Sequence, residues 1–88
     1  MSEENIITIN GIDYTVNVDF LEDDYELVEL LDEIEERPTR YPRLIKRVTG
    51  DKYEATKDSL RNERGKVTME AMGEWWNEYI EKVAELKN

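Results

Sequence analysis

Thr68–Leu86, TMEAMGEWWNEYIEKVAEL, is the longest uninterrupted helical pattern in the chain and contains both tryptophans. Met72, Trp76, Tyr79, Val83 and Leu86 recur at intervals of three and four, which places them on one stripe of an α-helix. Trp75 and Ile80 widen that stripe, while Glu70, Glu74, Glu78, Glu81, Lys82 and Glu85 fill the remaining surface. Thr68 is suited to the N-cap, where its hydroxyl accepts from backbone N–H groups that lack partners in the first turn. Val67 before the cap and Met72 after it have the spacing of a hydrophobic staple. A helix at 68–86 with so broad an aromatic stripe needs apolar cover, and the upstream segments must supply it.

Working back from this helix, Asn62–Lys66 (NERGK) reads as a break in which Gly65 takes a left-handed conformation. Residues 51–62 read as a helix capped by Asp51, with Glu54 at the capping-box position and Tyr53 and Leu60 as apolar anchors. Residues 42–49 form a short helix with Pro42 in its first turn and Leu44, Ile45 and Val48 facing inward, closed by Gly50. Residues 23–36 predict a longer helix, capped by Asp23 with Glu26 three residues on. Leu27, Leu30, Leu31 and Ile34 make its stripe, with Tyr25 and Val28 beside it. Pro38 disfavours helical geometry at Arg37, so that helix stops near Glu36.

At the other end, residues 1–4 read as a frayed terminus. Residues 5–9 (NIITI) and 14–18 (YTVNV) alternate and are rich in β-branched types, with Asn10-Gly11 between them. An Asn-Gly pair in that setting signals a hairpin, because both residues tolerate positive φ. Ile12-Asp13 lengthens the expected loop and leaves the register of a hairpin over 5–18 open. An isolated two-stranded hairpin is marginal in water, so this one must dock on the helices or on another chain. The expected architecture is a single α+β domain over residues 1–88: an N-terminal β-hairpin packed on about four helices, mostly helical.

Composition narrows the chemistry. The 88 residues include no cysteine and no histidine, which removes disulfides, thiolate metal sites and the commonest general base. The four glycines are isolated, so no phosphate-cradling loop is present. Asp19, Glu22, Asp23 and Asp24 lack the glycine and spacing of a calcium loop. With 22 Asp and Glu in the chain, carboxylate pairs arise by chance and do not mark catalysis. Neither a catalytic residue nor a cofactor or metal is expected. No apolar run approaches the ~20 residues of a membrane span, and MSEENI lacks the features of a signal peptide.

The net charge of −10 is unevenly distributed. Residues 1–36 hold 13 carboxylates and no Lys or Arg; residues 37–66 hold ten Lys or Arg against four carboxylates. Asp32, Glu33, Glu35 and Glu36 crowd the C-terminal end of the 23–36 helix, where the helix dipole disfavours them. Arg37, Arg40, Arg43, Lys46 and Arg47 follow at once, and their contact with the acidic segment is expected to be the main electrostatic contact of the fold. The overall acidity opposes nucleic-acid binding by this basic segment.

The tryptophan pair has two readings. In one, Trp76 is core and Trp75 covers the helix edge. In the other, part of the stripe stays open to a partner, because adjacent helical residues point ~100° apart and Trp and Tyr commonly anchor interfaces. The candidate protein-binding residues are therefore Trp75, Trp76, Tyr79, Val83 and Leu86.

Gly50–Trp75, GDKYEATKDSLRNERGKVTMEAMGEW, resembles the C-terminal half of small tail assembly chaperones from long-tailed phages and prophages of Gram-positive bacteria. The matching residues are Gly50, Asp51, Tyr53, Leu60, Arg61, Gly65, Val67, Glu70, Ala71 and Met72. Asp23–Glu36, the short helix after it and the N-terminal hairpin are also similar to that family. The Trp75-Trp76 doublet departs from it, being heavier than the small or aliphatic residues expected there. The resemblance implies a non-catalytic protein of the host-cell cytoplasm, absent from the mature virion. It would bind the long apolar tape measure protein, help recruit tail tube subunits and self-associate; family members are often extended by translational frameshifting. The alternative from another class is a small acidic regulator or nucleic-acid mimic that inhibits a host DNA-binding protein.

Overall fold

The final helix forms where its pattern and cap predict. In the computed structural model, which describes residues 5–87, it runs Met69–Lys87. Thr68 caps it: the side-chain oxygen accepts from the Ala71 N–H at 3.0 Å, and the Thr68 carbonyl accepts from Met72 N–H. The elements in chain order are β1 (Asn5–Ile9), β2 (Ile12–Val16), α1 (Phe20–Asp23), α2 (Tyr25–Glu36), α3 (Tyr41–Thr49), α4 (Tyr53–Ser59) and α5 (Met69–Lys87). Single 3-10 turns at Pro38–Arg40 and Gly50–Lys52 lead into α3 and α4. Residues 1–4, read above as a frayed end, lie outside the described residues.

The hairpin is tighter than expected. Ile9 pairs with Ile12, so the loop is Asn10-Gly11 alone, and the second strand begins at Ile12 and ends at Val16 rather than running 14–18. Asn10 at φ 52° and Gly11 at φ 80° make the mirror-image turn whose twist suits two-residue hairpins, which is why no longer loop is needed. Register puts Ile7 opposite Tyr14 and Asn5 opposite Val16. Ile7, Ile9, Tyr14 and Val16 all turn to one buried face, and Ile6, Thr8, Asp13 and Thr15 to the exposed one. Among the described residues the sheet has only these two strands.

Two helix starts differ from the sequence reading. The long acidic helix begins at Tyr25, and its cap is Asp24, not Asp23; the Asp24 carboxylate accepts from the Leu27 N–H at 3.2 Å. Asp23 instead closes the one-turn helix α1, where it accepts a 2.8 Å bond from the Asn17 side-chain amide. The helix ends at Glu36 as Pro38 requires. Asp51 likewise caps nothing: it sits inside a 3-10 turn that starts at Gly50, whose φ of 58° breaks the chain direction after α3.

Among the described residues three helices of more than two turns, rather than four, carry the fold. The helix expected over 51–62 shrinks to the seven residues of α4. Hydroxyl groups here compete for helix carbonyls: Thr56 donates to the Lys52 carbonyl and Ser59 to the Thr56 carbonyl. Leu60 N–H then bonds three residues back to Lys57, tightening the last turn. Beyond it, Asn62 organises the loop, its side-chain oxygen accepting from Arg64 and Lys66 N–H and its own N–H donating to the Lys66 carbonyl.

The core is one cluster fed by every layer: Ile7, Ile9, Tyr14 and Val16 from the hairpin, Leu27 from α2, Leu44 and Ile45 from α3, and Met72, Trp75, Trp76, Tyr79 and Val83 from α5. A buried polar link ties the hairpin to α4. Tyr14 and Thr56 hydroxyls lie 2.7 Å apart, and Thr56 also bonds the Lys52 carbonyl at 2.8 Å. A hydroxyl has one proton, so with Thr56 donating to Lys52, Tyr14 must be the donor to Thr56. The acidic–basic contact expected at the C-terminal end of α2 is found there in part, and its closest pair lies at the start of the helix instead. Arg47 makes two bonds to Asp24, at 2.7 and 2.8 Å, and approaches Glu26, while Arg40 lies 3.8 Å from Glu33.

Candidate interaction surfaces

The stripe proposed from the sequence as a docking face is largely interior. Tyr79 is sandwiched between two indoles, its ring 5.3 Å from Trp75 and 5.4 Å from Trp76, both stacked. Tyr14 meets Trp75 edge-on, with centroids 5.6 Å apart. Trp75, Trp76, Tyr79 and Val83 are all buried, at 2 to 7% exposure. Both tryptophans are therefore core, and of the five candidate residues only Leu86 is open to solvent. The physical reason is that α5 is enclosed from more than one direction. The hairpin's apolar face and the side chains of α3 belong to the same cluster, so two directions ~100° apart are both covered.

Enclosure shows in two side chains. Desolvation pushes the Tyr79 phenol up to about 12 from its ordinary value of 10.0. The indole N–H of Trp75 is buried without a hydrogen-bond acceptor among the described residues. An unmet donor of this kind costs ~1–3 kcal/mol, which the surrounding aromatic packing must offset.

The accessible apolar side chains are elsewhere. Ile6 projects from the outer face of β1, Met69 and Leu86 mark the two ends of α5, and Tyr25 and Val28 lie on α2, with Tyr25 the most open at 77%. On α2, counting 100° per residue from buried Leu27, Glu26 and Val28 fall on opposite flanks. The Glu26 flank, with Glu29 and Glu33, faces Arg43, Lys46 and Arg47 of α3 across a groove of about 480 Å³ floored by Leu30. The Val28 flank carries Tyr25, Asp32 and Glu35 into solvent. Its signal was present in the sequence as Tyr25 and Val28 beside the apolar stripe, but spacing alone did not say which side of α2 would be covered.

Electrostatically, α2 is only partly neutralised. The Arg47 guanidinium bonded to Asp24 holds that carboxylate below its ordinary range, with further help from the Leu27 N–H, and Asp24 in turn raises Arg47. Among the described residues no group of His, Cys, Asp and Glu is arranged to hold a metal ion, and no helix is long and apolar enough to cross a membrane. These surfaces present apolar side chains and charge to solvent. No protein-family model, curated protein or solved structure matches the chain.

Proposed function

We propose that this chain is a non-catalytic assembly chaperone of a long-tailed phage or prophage. It binds the tape measure protein in the host cytoplasm, assists tail tube assembly, self-associates, and does not remain in the virion. The observation that carries the reading is the pairing of exposed Tyr25 and Val28 with the carboxylates of α2. Apolar side chains can grip an apolar client there while the charge around them keeps the complex in solution. The resemblance of Gly50–Trp75 to the chaperone family supplies the identity of the client.

The test is co-expression with a tape measure fragment, followed by measurement of the soluble complex. Wild-type protein should solubilise the fragment, and Tyr25→Glu combined with Val28→Asp should sharply reduce the yield while preserving the circular dichroism of the chaperone. A fragment that stays insoluble, or a double variant as effective as wild type, overturns the reading.

The acidic-regulator reading rests on a different observation: Glu26, Glu29, Glu33 and Glu36 recur about one turn apart along α2. Against it, Arg47 and Arg40 lie against Glu26 and Glu33, so part of the row is engaged within the fold. Capture of a host DNA-binding protein that duplex DNA displaces would favour this second reading.

A further inference from the structure

A two-residue hairpin fixes which backbone groups face outward. The pair next to the loop, Ile9 and Ile12, exchanges both hydrogen bonds, and antiparallel pairs then alternate. Thr8 and Asp13, and next Ile6 and Thr15, therefore turn their N–H and C=O groups away from the partner strand. Both strands are edges, since the described sheet contains no third. Open edges invite pairing with another chain.

A lysine stands on each edge. Lys82 of α5 donates to the Thr8 carbonyl at 2.5 Å, and Lys52 donates to the Asp13 carbonyl. Neither contact belongs to a helix, a strand ladder or a cap. Each places an ammonium group on an outward carbonyl that an added strand would need. Lys82 is steadied by Glu78, 3.3 Å away on the preceding turn.

The two edges differ in what they would attract. The β2 edge carries Asp13, whose carboxylate accepts from the Thr8 hydroxyl at 2.6 Å, and a register that set the Asp13 residues of two copies opposite each other would oppose association. The strand β1, Asn-Ile-Ile-Thr-Ile, has no charge, is rich in β-branched residues and exposes Ile6 at 52%. Short uncharged segments of this type self-pair readily.

We infer that β1 is a latent self-pairing edge whose partner is β1 of a second copy, and that Lys82 is the guard that keeps it closed. With the ammonium in place, a second β1 meets a partly exposed charge that pairing would desolvate, and an occupied carbonyl. Without it, the edge is uncharged and rich in β-branched residues, and pairs.

The test compares wild type with Lys82→Met, which keeps the aliphatic stem and removes the charge. Mass is followed by light scattering across a concentration series, and amide exchange is read at Ile6 and Thr8. The variant should reach at least twice the wild-type mass at the same concentration, with both amides newly protected. Adding Ile6→Lys should return the mass to the wild-type curve. If Lys82→Met does not fold by circular dichroism, Lys82→Gln, which retains a donor but no charge, takes the same measurements. Unchanged mass in a folded variant overturns the inference, as does extra mass with Ile6 and Thr8 still exchanging freely.

Discussion

Thr56 shows how much one hydroxyl can organise. It is fully buried, accepts from Tyr14 and donates to Lys52, and so joins the hairpin to α4 across 42 residues of sequence. Thr56→Val keeps the shape and removes both bonds, leaving the Tyr14 phenol buried without an acceptor. A loss of ~1–3 kcal/mol is expected in denaturant unfolding. Tyr14→Phe combined with Thr56→Val should cost less than the sum of the single changes, because the orphaned donor is gone. Additive losses would show that the pair is not coupled.

Tyr79 makes a second residue-scale prediction. Its phenol is pushed up to about 12 by burial, whereas an unfolded tyrosine titrates near 10. Between these values the unfolded state loses its proton first. The stability from neutral Tyr79 is therefore intact below pH 10 and falls as pH rises toward 12, by on the order of 2 to 3 kcal/mol. Tyr79→Phe removes this dependence. The difference in unfolding free energy between wild type and variant should be flat below pH 10 and should shift toward the variant above it. A parallel pair of curves up to pH 12 would contradict the assignment.

At the scale of the element, α5 contains an avoidable weakness. Gly73 lies within the helix, and a Cβ built there meets nothing within 4 Å. Gly73→Ala should therefore stabilise the protein by ~0.5–1 kcal/mol, through lower backbone entropy in the unfolded chain, and raise the midpoint of thermal unfolding. A lowered midpoint would mean that α5 packs more tightly there than the backbone indicates. The same element shows what local pattern can decide. The three-and-four spacing of Met72, Trp76, Tyr79 and Val83 and the cap at Thr68 were legible because both depend on residues within one or two turns. The shortened α4 was not, because its end depends on Thr56 and Ser59 hydroxyls choosing backbone carbonyls, and on a loop closed by Asn62.

For the whole molecule, charge sets a further expectation. The chain carries −10 over an elongated body of 44 × 31 × 22 Å, and the ion pairs among the described residues all involve partly exposed side chains. Such pairs contribute little, while like-charge repulsion acts across the surface. Added salt should therefore screen repulsion more than attraction and raise the thermal midpoint by a few degrees. A midpoint that falls with salt would show that the Arg47–Asp24 and Arg40–Glu33 contacts outweigh the repulsion.

Local chemistry in the chain determined the hairpin and the boundaries marked by Pro38 and Thr68, though not the length of α4. Asn10-Gly11 made the hairpin, Pro38 ended α2, Thr68 started α5, and the segregation of acidic from basic residues foretold their contact. Tertiary structure alone decided which apolar residues remain uncovered. Trp75 and Trp76 point in directions ~100° apart, and both are buried because the hairpin, α2, α3 and α5 share one cluster. Val28 and Tyr25 stay exposed because the neighbour of α2 lies on its Glu26 flank. Periodicity reports which side chains share a face of a helix, but burial depends on whether a segment distant in sequence comes to lie against that face.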